Sequence, residues 1–364
     1  MSAVVPIEAA TSFEAMWQAW RRARRHKRQT PEMDRFALAL EPNLLALGRA
    51  LRDGSWRPGP LRSFEVRDPK PRLVSASPFA DRVVHQALIA ACMPAFEPLL
   101  GPEVYANRPG FGTHSGVLRY QELARHGRYV LKLDVASFFP SIDRSILLDQ
   151  LAIWLDGGWA YEPLARVVTS APETMGRPRR TDQGLALRDR GLRPGPSTLN
   201  RRRGGSRPDA HRPRWFAGDD LLEPARRARG LPLGHLVSQT LANLHLTPLD
   251  AVMRDADGVL GFIRYVDDLV AVADDRASLR RAMARARLCL ASQRLHLNPL
   301  KCGIHHTGGG IALLGYVVGP DWRRLPGRSR RRFEHRFAGY RQQWRRGELA
   351  LAAVSQRVAA WSGH

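Results

Sequence analysis

The sequence predicts an α+β fold in which an antiparallel sheet is backed by helices. Three observations predict it. Two short apolar stretches, at 129–135 and 261–273, are rich in β-branched and aliphatic residues, and each delivers acids at its tip. Amphipathic stretches at helical spacing flank them, as in Leu279, Met283, Ala286 and Leu290. No apolar run approaches the ~20 residues of a membrane span, so the 44% hydrophobic content is free to build a core.

The elements follow in order. Phe13, Met16, Trp17 and Trp20 recur at helical spacing, with Thr11 or Ser12 as cap and Glu14 in the first turn. The run 21–28 is almost wholly basic and reads as a solvated helix face or a phosphate-contacting one. Phe36, Leu40, Leu44, Leu47 and Leu51 form a second stripe, stopped by Gly54. Residues 61–76 alternate and read as extended, and an apolar helix spans about 81–93. A glycine-rich loop covers 105–114. The strand 129–134 runs into Phe138-Phe139-Pro140, and a helix starts near Arg144. Residues 171–229 set many arginines among Pro, Gly and Ser with few hydrophobes, the composition of a flexible insertion. A loop from Gly230 leads into a helix over about 236–254. The hairpin 261–273 follows, then a helix over 277–293 and strand-like pieces at 295–297 and 311–318. A very basic helix over 328–344, a break at Gly347 and a last helix over 349–361 close the chain.

The formal net charge of +23 favours a polyanionic partner, nucleic acid or an anionic membrane surface. The three cysteines, Cys92, Cys289 and Cys302, form no paired pattern and no CxxC, so neither a disulfide framework nor a zinc site is expected. No basic run followed by an apolar core opens the chain, so a signal peptide is not expected and a cytoplasmic location is.

The chemistry sits in the acids. One strand ends in Asp134; the hairpin turn is Tyr265-Val266-Asp267-Asp268, flanked by apolar strands. Adjacent acids at a tight turn repel one another, and divalent cations relieve that cost. Three carboxylates on a strand and a neighbouring hairpin fit a two-metal phosphoryl-transfer site.

In order along the chain, these motifs resemble those of the reverse transcriptase superfamily. Asp134-Val-Ala-Ser-Phe-Phe139-Pro-Ser-Ile-Asp143 resembles its first catalytic strand. The stretch from Gly230-Leu-Pro-Leu-Gly234 to Ser238-Gln239 resembles its nucleotide-contacting loop, and Tyr265-Val-Asp-Asp268 its Tyr-x-Asp-Asp hairpin. Leu297-Asn298-Pro-Leu-Lys301 resembles the lysine motif, and Leu313-Leu-Gly315-Tyr316 the primer grip. Pro69-Lys-Pro-Arg72 and Asn107-Arg108-Pro-Gly-Phe-Gly-Thr-His114 resemble the finger motifs.

The resemblance spans about 35–320 and implies a right-hand polymerase. Its parts are a basic helical extension (1–34), fingers (35–120), a palm (121–320, interrupted at about 171–229) and a short basic helical thumb (321–364). It implies an RNA-directed DNA polymerase using two Mg2+ ions, with Mn2+ as a substitute. Asp134 and Asp267 would bind both ions, Asp268 would support them, and the Val135 carbonyl would complete the nucleotide-side ion. Phe139 would exclude a ribose 2′-OH. Arg72 and Arg108, with Arg82 as a rival, would hold the triphosphate. Lys301 would sit at the pyrophosphate, and Gly234, Ser238 and Gln239 would line the templating base pair. His85 and His114 are read as structural.

Gln239 after Ser238, 81–88 and the small size are similar to reverse transcriptases of diversity-generating retroelements. Phe111 and Asn107 depart from that group. Membership implies error-prone copying at template adenines, with template RNA, a primer or RNA–DNA hybrid, dNTPs and a small basic accessory protein as partners, and no membrane. A retron-like or phage-defence enzyme stays open. A group II intron enzyme is less favoured, since no DNA-binding or endonuclease extension is expected after the thumb. An RNA-dependent RNA polymerase is opposed by Phe139 and Val266, and an inactive RNA-binding scaffold by the intact acids.

Overall fold

The computed structural model describes residues 5–67, 71–170, 215–220 and 222–362. Its architecture mixes helices with antiparallel sheets, as the sequence predicts. Ser12 caps the helix Phe13–Arg24, its side chain accepting from the Ala15 amide at 3.3 Å. The stripe from Phe36 to Leu51 is split: helix Pro31–Leu38 ends where Ala39 leaves helical geometry (φ −125°, ψ 49°), and Leu40–Arg52 begins beyond it. Leu44 and Leu51 are nevertheless buried, and Phe36, Leu40 and Leu47 pack against the core margin. The helix Phe79–Phe96 runs through the middle of this cluster.

Strands β1 (Arg62–Arg67) and β2 (Pro71–Ala76) pair as an antiparallel hairpin. The central sheet joins β3 (Tyr129–Asp134), β4 (Val259–Tyr265), β5 (Asp268–Ala273) and β6 (Gly303–His306) in the order β4-β5-β3-β6, every pair antiparallel. Because side chains alternate along a strand, the sheet feeds two cores. Leu131, Leu133, Phe262, Leu269, Ala271 and Ala273 point into the larger one, with helices Phe79–Phe96, Arg144–Leu155, Leu236–His245 and Arg276–Ser292. Val130, Ile263, Val270 and Val272 point the other way, against helix Thr113–His126 and the hairpin of β7 (Ile311–Leu313) and β8 (Tyr316–Val318). Burial on both faces explains why β5 reads as an unbroken apolar run. Strand β6 is absent from the sequence reading because Gly303-Ile304-His305-His306, half-buried to exposed at the sheet edge, has no apolar alternation to detect.

Two boundaries need correction. The helix expected over 236–254 is two, Leu236–His245 and Thr247–Arg254. The chain leaves helical geometry at Leu246 (φ −92°, ψ 7°), and Pro248 lies in the first turn of the second helix. The arginine-rich insertion at about 171–229 lies outside the described residues as far as 214. The expected insertion nevertheless runs too far, because Trp215 onward is stitched to the fold. Phe216 stacks on His296 with ring centroids 4.5 Å apart, and Arg227 pairs with both Asp143 (3.1 Å) and Asp219. The C-terminal helices, Gly327–Arg345 and Leu351–Ser362, pack on each other. Among the described residues, no helix is long and apolar enough to cross a membrane.

Candidate active site

Three carboxylates meet at one end of the central sheet. Asp134, the last residue of β3, is the direct antiparallel partner of Asp268, the first residue of β5. Directly opposed residues carry their side chains on the same sheet face, with Cα atoms roughly 4.5–5.5 Å apart. Tyr265 pairs with Asp268 across β4 and β5, so Val266 and Asp267 alone make the hairpin turn. Val266 has φ 58°, a conformation that a β-branched residue rarely adopts. That strained corner places Asp267 beside the Asp134–Asp268 pair.

The electrostatics follow from this crowding. Asp134 is 4% exposed, and no described residue donates a hydrogen bond to its Oδ2. Lys301 donates to its Oδ1. Burial, then the Asp268 charge, push Asp267 up to about 6, with Asp134 adding to the rise and Lys301 opposing it. Asp268 is also raised, chiefly by burial, against the pull of Lys132. Two half-buried acids kept above their ordinary range and a buried carboxylate oxygen without a donor form a hard-oxygen donor set suited to a divalent cation. Among the described residues, no group of three or more His, Cys, Asp or Glu side chains is drawn together tightly enough to hold a metal ion as it stands. Lys301 takes up part of the Asp134 charge instead.

Beside the acids, Val135 bridges Leu297 through its neighbours' amides: Ala136 N donates to His296 O (2.8 Å) and Asn298 N to Asp134 O (2.7 Å). The Val135 carbonyl takes no part in that bridge. The piece expected as a strand over 295–297 is reduced to this single pairing. Cys302 also lies against Asp134, its Sγ 3.3 Å from the Asp134 amide.

A second group of predicted residues gathers next to this end. Phe139, half-buried, stands at the turn Phe138–Ser141, and its carbonyl accepts from Leu231 N at 3.0 Å. Gly230 N donates to Ile142 O (2.8 Å) and Arg144 N to Ala228 O (3.0 Å), so 228–231 is laced along 139–144. Asp143 anchors the same junction: it caps helix Arg144–Leu155 and pairs with Arg294 at 2.8 Å. Burial alone would raise the Asp143 carboxyl, but the Ser145 and Arg294 hydrogen bonds outweigh it and hold it low. Leu233 O accepts from Ser75 N at 3.0 Å, which ties the loop to β2. Gly234 has φ +101°, and a Cβ there would meet Val74 Cγ1 at 3.1 Å and Ser75 O at 3.3 Å, so only glycine fits without strain. Ser238 and Gln239 follow on helix Leu236–His245, and the buried Ser238 Oγ has no described partner. The Arg72 side chain and Pro69-Lys70 lie outside the described residues, although the Arg72 backbone pairs with Val66.

Arg108 makes its contacts within its own loop. Its guanidinium donates to Glu97 through Nε and Nη2, and to Gly101 O (2.7 Å) and Val104 O (3.0 Å) through Nη1. The same group lies 4.1 Å from the centre of the Phe111 ring. It braces its own loop and has little left to offer a phosphate. The rival Arg82 lies over Phe79 and pairs with Glu32 at 3.7 Å. His85 is buried and held down to about 3 by desolvation, then by His235, as befits a packed neutral ring. His114 reaches the Tyr316 hydroxyl at 3.2 Å.

Sequence reasoning missed Arg264, which precedes Tyr265 in β4 and is fully buried. An arginine inside an otherwise apolar strand was the available signal. No curated protein matches the chain. The stretch 215–318 matches a family; it includes Gly234, Ser238, Gln239, Asp267, Asp268 and Lys301, while Asp134, Val135 and Phe139 precede it. Reverse transcriptase (RNA-dependent DNA polymerase) is the family matched over residues 215–318, a domain that implies a polymerase palm, divalent metal ions and binding of template RNA, primer and dNTPs, and that indicates an RNA-directed DNA polymerase, a nucleotidyltransferase.

Proposed function

We propose that the chain copies RNA into cDNA by two-metal nucleotidyl transfer, as the error-prone enzyme of a diversity-generating retroelement. The observation that carries the mechanism is Asp134 opposite Asp268, with Asp267 at the adjoining two-residue turn. Asp134 and Asp267 would hold the ions, with Asp268 in support and the Val135 carbonyl on the nucleotide side. When bound, the pair of Mg2+ ions supplies activation of the primer 3′-hydroxyl and neutralises the leaving pyrophosphate.

The protein's own groups do the rest. Lys301 balances the Asp134 carboxylate and offers its charge or proton to the departing pyrophosphate. Phe139, fixed by the lacing of 228–231 along its turn, stands against the sugar and disfavours a 2′-OH. Gly234 lets the backbone approach the templating pair, with Ser238 and Gln239 beside it. The motif Pro69-Lys-Pro-Arg72 assigns Arg72 to the triphosphate. The fingers and the basic thumb close on the duplex, where Arg328, Arg330, Arg331, Arg332, Arg336 and Arg341 track the backbone. Gln239 after Ser238 supports the retroelement subgroup, and with it a small basic accessory protein.

Primer extension on an RNA template with Mg2+ tests this. Wild type should extend with dNTPs in preference to rNTPs, and Asp267→Asn should be inactive. Equal activity in the variant would overturn the mechanism. Product sequences without excess errors opposite adenine would overturn the subgroup.

A further inference from the structure

Arg264 is the bulkiest fully buried side chain among the described residues. A guanidinium is tolerated in a core only when charge and hydrogen bonds are matched. Here Nε and Nη2 grip both oxygens of Asp250 at 2.6 Å each. The pair neutralises the charge, yet the guanidinium does more. Nη1 donates to Asn243 Oδ1 (2.8 Å) and to Val266 O (3.1 Å), and Nη2 to Asn243 O (3.0 Å). The bond to Val266 matters because Val266 is the left-handed corner of the hairpin, a conformation that persists only when its surroundings enforce it. Asn243 belongs to the helix that carries Ser238 and Gln239, and its Nδ2 donates to Ala106 O at 3.0 Å. The Arg264 backbone also pairs with 103–105, its amide donating to Glu103 O (2.8 Å) and its carbonyl accepting from Tyr105 N (2.9 Å).

We infer that Arg264 is a positioning residue: it holds the Val266 carbonyl so that Asp267 is presented to the metal ions, and it sets the acid hairpin against the helix of Ser238 and Gln239. The inference rests on Asp267 being a metal ligand, as proposed above. Lysine would keep the charge opposite Asp250, but a single ammonium lacks the planar fork that reaches Asp250, Asn243 and Val266 together. Val266 O takes the second N–H of Nη1, so the same bond that completes the buried guanidinium also fixes the corner of the hairpin.

The test uses the full chain with Arg264→Lys and Asn243→Ala; the second leaves the Arg264–Asp250 pair intact. Mn2+ binding is read by the electron paramagnetic resonance of free Mn2+, with Asp267→Asn as blank. Amide exchange over 259–273 is followed without metal, and primer extension is run across dNTP and Mg2+ concentrations. A folded Arg264→Lys should bind Mn2+ about tenfold or more weakly, exchange faster over 259–273, and lose about 10²-fold in kcat/KM. Asn243→Ala should shift the same way by less. Wild-type Mn2+ affinity and exchange in Arg264→Lys, with only kcat reduced in proportion to folded protein, would overturn the inference. If Arg264→Lys does not fold, unchanged Mn2+ affinity in Asn243→Ala overturns it. Equal Mn2+ binding by wild type and Asp267→Asn would instead sink the assignment of Asp267 itself, while the exchange data still report whether Arg264 holds the turn.

Discussion

Replacing Asp267 by Asn should stabilise the metal-free protein while abolishing its activity. The folded Asp267 carboxyl is raised from 3.8 to about 6 by burial, then by Asp268 and Asp134. An acid whose folded value lies above its unfolded one binds more protons when folded. Stability therefore falls as pH rises from about 4 to about 6, and the full penalty persists above that window. At about 1.4 kcal/mol per pH unit the ceiling is ~3 kcal/mol. Partial exposure of the turn and screening reduce it to roughly 1–3 kcal/mol. Asparagine has nearly the same shape and no charge, so it removes the penalty. Thermal unfolding in EDTA at pH 8 should place the variant a few degrees above wild type, with the gap narrowing as pH falls through 6 towards 4. Added Mg2+ should reverse the order, because only the intact site gains strongly from binding. A variant no more stable than wild type at pH 8, or a gap independent of pH, would refute the argument that crowding of acids dominates this corner.

Three further outcomes are expected. Phe139→Ala should lower discrimination between dNTPs and rNTPs by about 10–100-fold, read from paired kcat/KM values, with dNTP use retained. Gly234→Ala should cost about 1–3 kcal/mol in stability, because its left-handed φ and the contacts to Val74 and Ser75 leave no relaxed place for a methyl group; urea unfolding measures it. His85 and His245 are held down to about 3 and about 4 by burial, so both are neutral when folded. Below the unfolded value near 6.5 the unfolded chain takes up the protons first, so stability present above about pH 6.5 is lost as pH falls towards 4. Each histidine should contribute about 1.4 kcal/mol per pH unit, and His85→Gln should flatten the acid limb of a stability–pH curve.

Much of this was legible in the sequence for a definite reason. The strand 129–134 and the hairpin around Tyr265–Asp268 combine local β propensity with apolar flanks, so local rules and the global fold agree. The helix Phe13–Arg24 was equally legible, and the structure settles its cap on Ser12, one of the two candidates. Arg108 is ambiguous in sequence because a loop arginine can serve a ligand or its own loop, and its bonds to the carbonyls of Gly101 and Val104 come only with the fold. The contacts made by 215–220 and 222–229 escaped notice because an ion pair with Asp143, distant along the chain, ties them to the fold rather than a hydrophobic pattern. Arg264 was hidden similarly: its partners come from Asn243 and Asp250, on helices that were read as one.

The pairing of Asp134 with Asp268 also governs how this gene can tolerate gain or loss of codons. Removing one residue from 129–133, or adding one, would turn the acid at the strand end to the opposite side of the sheet, into the crowded larger core. Such an indel would leave every carboxylate encoded and the reaction centre dismantled. The length of the strand is therefore as much a part of the reaction centre as the aspartates themselves.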